Sequence, residues 1–249
     1  MYSILSAKEI PYGVSPYASL DYCLQALQAG GTCIFRPGNP DCPNRIYDVD
    51  PVQSALQFMT YAKPYADELK GYSNVWLEPL NECLQTPLTV AQLQWWADWM
   101  NTYIDKAAEL GWPPLALPTL PPGSGDGLLF SVWKDALLNL KTHDGVFSTH
   151  DYTFNSQANL CPYDKWESYR HVLQHEWMVY YGYDVPIAIT EAARQSGNAV
   201  PDVQDFICWV NNNRLEYVHS IWLWVGGYNG TWPKANLDGY YIPIAEGIH

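Results

Sequence analysis

Short apolar runs alternate with longer amphipathic stretches along the chain, and this alternation restricts the fold more than any other feature. Strand character is found at Tyr2 to Ser6, Thr32 to Arg36, Val75 to Leu80, Leu115 to Pro118, Val146 to His150, Pro186 to Thr190 and Tyr217 to Val225. Helical spacing is found at about 16–29, 51–70, 89–110, 128–142, 163–181 and 200–213. Two helix starts carry their own signals. Asp50-Pro51 sets a capping residue before a first-turn proline, and Thr89 precedes a long amphipathic run that closes on Gly111.

Strict strand-helix alternation implies a parallel sheet, and strands this apolar imply burial on both faces. Two architectures satisfy this, a closed (β/α)8 barrel and an open doubly wound sheet. No GxGxxG or Walker-type loop follows any strand, which lowers the nucleotide-binding versions of the open sheet. Polar residues instead gather just after the strands' C-terminal ends: Arg36, Asn81 and Glu82, His150 to Tyr152, Glu191, Trp222 and Trp224. In a barrel that rim carries the active site. The expected fold is thus α/β, a (β/α)8 TIM barrel, and no composition shift or repeat divides the chain, so 1–249 is expected to be one catalytic barrel domain.

The net charge of −13, with only 13 Lys and Arg, argues against nucleic acid as a partner, since phosphate binding draws on clustered cations. The chain holds 12 Trp and 19 Tyr, side chains suited to stacking on a flat, neutral, polar ligand. No run approaches the roughly 18 apolar residues of a membrane helix, and the first residues lack the basic start and apolar run of a signal peptide. No membrane partner is expected, and the compartment stays open. The six Cys contain no CxxC pair, which disfavours a zinc knuckle. The Asn229-Gly230-Thr231 sequon matters only in a eukaryotic secretory setting.

The segment "NVWLEPLNE", residues 74–82, runs apolar and then ends in acids. Carboxylates leave water at a cost of several kcal/mol unless paired, so acids at a buried strand end point to a site. If the strand stays regular, Trp76, Glu78, Leu80 and Glu82 share one side and face the barrel interior. A second acidic strand end, "VPIAITE", closes on Glu191. Two carboxylates facing a shared cavity are what glycoside hydrolysis needs, one protonated to donate to the leaving oxygen and one ionised to attack the anomeric carbon.

At these residues the chain resembles the clan A glycoside hydrolases, retaining (β/α)8 enzymes that include many cellulases, mannanases and xylanases. Their Asn-Glu at the end of the fourth strand, with a Glu four positions earlier, matches Glu78, Asn81 and Glu82 in "EPLNE". The resemblance implies that Glu82 is the acid/base, that Asn81 binds the sugar 2-hydroxyl, and that Glu191, ending the seventh strand, is the nucleophile. It implies that His150 and Tyr152 in "STHDYTF" line the sugar site, the Tyr orienting the nucleophile. Trp222 or Trp224 in "SIWLWVGG" would form its floor, and Arg36 would be the Arg that the clan often sets near the nucleophile. Glu78 would be a supporting residue. Three strands should precede Asn81-Glu82, so either "NRIYDVD" supplies a short third strand or the first strand is missing. The last helix is also absent from the pattern, because the tail after Gly226 reads as loop. A compact barrel follows.

The implied function is retaining hydrolysis of β-glycosidic bonds in a poly- or oligosaccharide, by a monomer needing no cofactor or metal. A non-catalytic carbohydrate-binding barrel is the alternative. Plainer readings hold elsewhere. His171 and His175 lie four apart but form no HExxH, so a helix surface explains them better than a metal. Trp95, Trp96 and Trp99 have helical spacing and are expected in packing rather than on a sugar platform. Asp41 and Asp238 read as solvated turn residues.

Overall fold

The computed structural model describes residues 20–28, 30–37, 46–80, 83, 88–117, 120, 126–153, 170–194 and 215–223, with the backbone alone at 22, 46, 152–153, 191–194 and 220–223. In chain order these form α1 (Leu20–Gln28), β1 (Cys33–Phe35), a 3-10 turn (Ile46–Asp48), α2 (Pro51–Leu69) and β2 (Val75–Leu77). They continue with α3 (Val90–Glu109), α4 (Gly127–Val132), α5 (Lys134–Thr142), β3 (Phe147–Thr153), α6 (Arg170–Tyr180), β4 (Ile187–Arg194) and β5 (Val218–Leu223). The expected strand at Tyr2 to Ser6, the helix at 200–213 and the tail after Gly226 lie outside the described residues, as do Asp41 and Asp238.

Local chemistry sets the helix starts. Asp50 caps α2 by accepting from the Gln53 N–H at 3.1 Å, ahead of Pro51 in the first turn, where a missing donor costs nothing. Thr89 and Gln92 form a reciprocal capping box on α3: Thr89 Oγ1 accepts from Gln92 N at 3.2 Å, and Gln92 Oε1 accepts from Thr89 N at 2.9 Å. The chain leaves α3 through Gly111, whose φ of 62° suits glycine. The helix expected over 128–142 is two helices. The break falls at Trp133, fully buried, whose indole N–H reaches across to the Leu93 carbonyl at 2.9 Å.

The strands are parallel and follow one another in sequence order. β1 pairs with β2, and β3, β4 and β5 form a second parallel set. The extended segment 115–117 joins the two sets: Leu77 bridges Leu115, and Ala116 bridges Val146, through bonds such as Ala116 N to Leu77 O at 2.9 Å. A doubly wound sheet breaks its order at a switch point. Among the described residues this order does not break. Two expectations are corrected. β1 pairs directly with β2, and the described part of the "NRIYDVD" segment holds a 3-10 turn (Ile46–Asp48) leading into the α2 cap, so among the described residues no strand lies between them. β2 ends at Leu77 rather than Leu80, since Pro79 has no N–H to continue a ladder.

The sheet has two different faces. Cys33, Phe35, Val75, Leu77, Leu115, Leu117, Phe147 and Ile187 join the core beneath the helices. There Trp96 and Trp99, both fully buried, pack between α2 and α3, in agreement with the packing role expected of the "QWWADWM" cluster. Ile34, Ala116, Val146 and Ala188, with Trp76, make a separate cluster on the other face. That face is concave. The Trp76 ring of β2 meets the His219 ring of β5 at 4.3 Å, although the two strands are four ladder steps apart, about 19 Å in a flat sheet at ~4.8 Å per step. The described strands therefore curl as a barrel wall does, and among the described residues no ladder joins β5 back to β1. A disulfide between Cys23 and Cys33 ties α1 to β1. No helix of the described residues is long and apolar enough to cross a membrane.

Candidate active site

Above the inner apolar layer the concave face turns polar. Arg36 follows β1 and Glu78 follows β2, and backbone pairing persists one residue past β2 through Glu78 N to Phe35 O at 2.9 Å. This sets the two side chains beside each other, with 3% and 2% of their surfaces exposed. Arg36 Nε and Nη2 donate to Glu78 Oε2 at 3.1 and 2.5 Å. The other carboxylate oxygen, Oε1, accepts from Thr190 Oγ1 of β4 at 3.2 Å. Glu78 thus braces three strands across the interior. Burying two charges costs several kcal/mol each, and only close, well-formed bonds of this kind offset it.

Thr190 immediately precedes Glu191, and the strand is irregular there. Thr149 pairs with Ile189 and His150 pairs with Glu191, so Thr190 is an extra residue on β4. Bulges of this sort cluster at barrel rims and beside active sites, where they re-aim side chains. His150 is fully buried in β3. Its neighbours Thr149 and Asp151 lie on the opposite face and reach α6: Gln174 Nε2 donates to Thr149 Oγ1 at 3.0 Å, and Asp151 Oδ2 bonds His171 Nδ1. His175 stacks on Tyr217 at 3.7 Å, just ahead of β5.

Burial governs the titrating groups in this region. It holds the Arg170 guanidinium below its ordinary value, with Asp151 and Asp126 acting in the opposite sense. It pushes the Tyr217 phenol well up, assisted by Asp151 and Glu176, and it lowers His175 and His219. His171 and His175 are accounted for by Asp151 and Tyr217, and among the described residues no group of three or more His, Cys, Asp and Glu could hold a metal ion.

The residues singled out from sequence fall into three sets. Arg36, Glu78 and His150 are described in full, and the first two are bonded partners. Glu191, Tyr152 and Trp222 are described as backbone: Glu191 is the register partner of His150, Tyr152 pairs with Ala193, and Trp222 lies in β5. Asn81, Glu82 and Trp224 lie outside the described residues. The shared side expected for Trp76, Glu78, Leu80 and Glu82 does not extend along the segment. Trp76 and Glu78 face inward, whereas Leu80, beyond the strand end at Leu77, packs in the core beneath the helices. Sequence reasoning gave no role to Thr190, Asp151 and Gln174, and it expected His171 on a helix surface, whereas His171 is fully buried against Asp151. The available signal was a polar residue, Asp151, at an outward strand position that helices cover.

No protein-family model and no curated protein matches the chain. Solved structures do. The chain is similar to a GH5-4 broad specificity endoglucanase from an uncultured bacterium, with TM-score 0.60 and 16% identity over 95% of this chain and 77% of that one. It is similar to a β-mannanase from Thermomonospora fusca, with TM-score 0.57 and 17% identity over 90% and 68%. A third structure, ZgEngAGH5_4 in complex with a cellotriose, gives TM-score 0.61 and 16% identity over 92% and 76%. At these identities the likeness is one of fold. The fold is similar to that of endoglucanase and mannanase barrels, the group the motifs resemble, and the described residues show part of such a barrel wall.

Proposed function

We propose that the chain is a retaining glycoside hydrolase that cleaves β-glycosidic bonds in a polysaccharide or oligosaccharide. The observation that carries the reading is the Arg36–Glu78–Thr190 brace. It ties the strand leading to Asn81-Glu82 to the residue before Glu191, across a concave face. Such a brace, joining the segment that leads to one acid with the strand that carries the other, suits a two-carboxylate reaction. The fold, shared with endoglucanase and mannanase barrels, agrees with it.

In this reading Glu191 attacks the anomeric carbon while Glu82 gives its proton to the leaving oxygen. Glu82 then takes a proton from the water that releases the glycosyl-enzyme. The two carboxyl groups would lie about 5 to 5.5 Å apart. Asn81 holds the sugar 2-hydroxyl, Tyr152 orients Glu191, His150 lines the site, and Trp222 or Trp224 gives the sugar a flat floor. Arg36 and Glu78 act beneath, fixing the strand ends. The whole chain, 1–249, forms one compact catalytic barrel domain working as a monomer without metal or cofactor.

Screening β-linked glucans, mannans and xylans with the wild type beside Glu191→Gln and Glu82→Gln tests this. Loss of acid/base help should lower kcat by about 10²–10⁴-fold in Glu82→Gln. Hydrolysis at the wild-type rate in Glu191→Gln would rule out the nucleophile.

A further inference from the structure

The outer face of β3 changes character halfway along. Phe147 packs on Phe130 of α4 at 5.6 Å, as expected of a barrel strand covered by helices. Two and four residues on, the same face presents Thr149 and Asp151, both buried, and both are taken up by α6. Gln174 donates to Thr149 and His171 bonds Asp151, one helical turn apart on α6 and two residues apart on the strand. His171 and Gln174 are fully buried. Polar groups in such a layer cost free energy unless fully bonded, and apolar residues would pack there without that cost. The polar stretch also begins where β3 turns irregular against β4, at His150 opposite Glu191.

We propose that Asp151–His171 and Thr149–Gln174 form a clamp by which α6 sets the position of His150 and Tyr152 relative to Glu191. The proposal rests on the glycosidase reading, and the four residues are positioning residues that never touch the sugar. His150 and Asp151 are adjacent and point to opposite faces, so the bond made outside fixes the peptide that aims the ring inside. The bulge makes this necessary, because its extra residue loosens the ladder that would otherwise hold the register. The clamp extends toward β5 through His175, one turn on from His171, which stacks on Tyr217.

The test compares Asp151→Ala with Asp151→Asn on the nitrophenyl β-glycoside that the wild type cleaves best, with kcat taken per folded molecule from far-UV circular dichroism. A misplacement of about 1 Å costs on the order of 10²-fold. Asp151→Ala should therefore lose about 10- to 100-fold in kcat with KM within about threefold, and Asp151→Asn, which keeps an acceptor for His171, should recover most of it. If Asp151→Ala does not fold, Thr149→Val removes the second rung at nearly constant volume and should show the same split. Wild-type kcat in a folded Asp151→Ala or Thr149→Val protein, or a loss that merely follows the unfolded fraction, overturns the clamp alone. A wild type that cleaves no β-glycoside or polysaccharide overturns the glycosidase reading and the clamp with it.

Discussion

Replacing Glu78 by Leu removes the carboxylate that faces Arg36 and Thr190 and leaves a guanidinium 97% buried without it. Removing one partner of a buried pair costs about 3–5 kcal/mol, far above the ~1 kcal/mol ceiling of a surface pair. A chain of 249 residues unfolds with an entropy of about 0.5 kcal/mol per kelvin, from ~2.1 cal/mol/K per residue, so Tm should fall by about 6–10 °C. The double variant Arg36→Met/Glu78→Leu replaces both charges with apolar groups of similar length, which is often neutral or stabilising. Its Tm should return to within about 3 °C of wild type, while hydrolysis stays impaired because the brace is gone. Thermal unfolding followed by far-UV circular dichroism reads the first effect and initial rates read the second. A drop below about 2 °C for Glu78→Leu, or a double variant no more stable than the sum of the singles, would refute the buried-pair argument.

Three further outcomes are expected. Burial lowers His219 and His175 below the ordinary 6.5, so below about pH 6.5 the unfolded chain takes up protons that the folded chain excludes. Stability should be full above that pH and decline as pH falls through it, and His219→Phe, which keeps the ring against Trp76, should flatten the decline in Tm measured from pH 8 to pH 5. A Cβ on Gly145 would meet the Leu115 carbonyl oxygen at 2.8 Å as well as the Leu140 side chain, so Gly145→Ala should cost about 1–3 kcal/mol in urea unfolding. Thr89→Ala removes the acceptor for Gln92 N and should cost about 1 kcal/mol by the same measurement.

Much of the frame was legible because it is local. The caps at Asp50 and Thr89, the stop at Gly111 and the inward burial of Trp96 and Trp99 follow from residues within a turn or two of one another. Where sequence reading failed, the cause was not local except at Pro79. Trp133 divides a continuous helical pattern because its indole finds a carbonyl on α3, 40 residues away. Pro79 shortens β2, and Leu80 then joins the outer core instead of following Glu78 inward. At the candidate site, Arg36, Glu78 and His150 were identifiable as polar residues in or after short apolar runs, but nothing near Thr190 in sequence says that it completes the Glu78 brace. Asp151 received no role of its own for the same reason, since its partner His171 lies 20 residues on, in α6.

The sequence by itself determined the order of parallel strands and covering helices, through hydrophobic period, caps and turn residues, each a matter of a few neighbouring side chains. Tertiary structure alone decided which way the sheet curls, which polar groups meet inside it and which are clamped outside it. Those outcomes depend on contacts between strands several ladder steps apart, such as Trp76 with His219 and Glu78 with Thr190. Curvature brings such residues within reach, and the spacing of residues along the chain does not encode it.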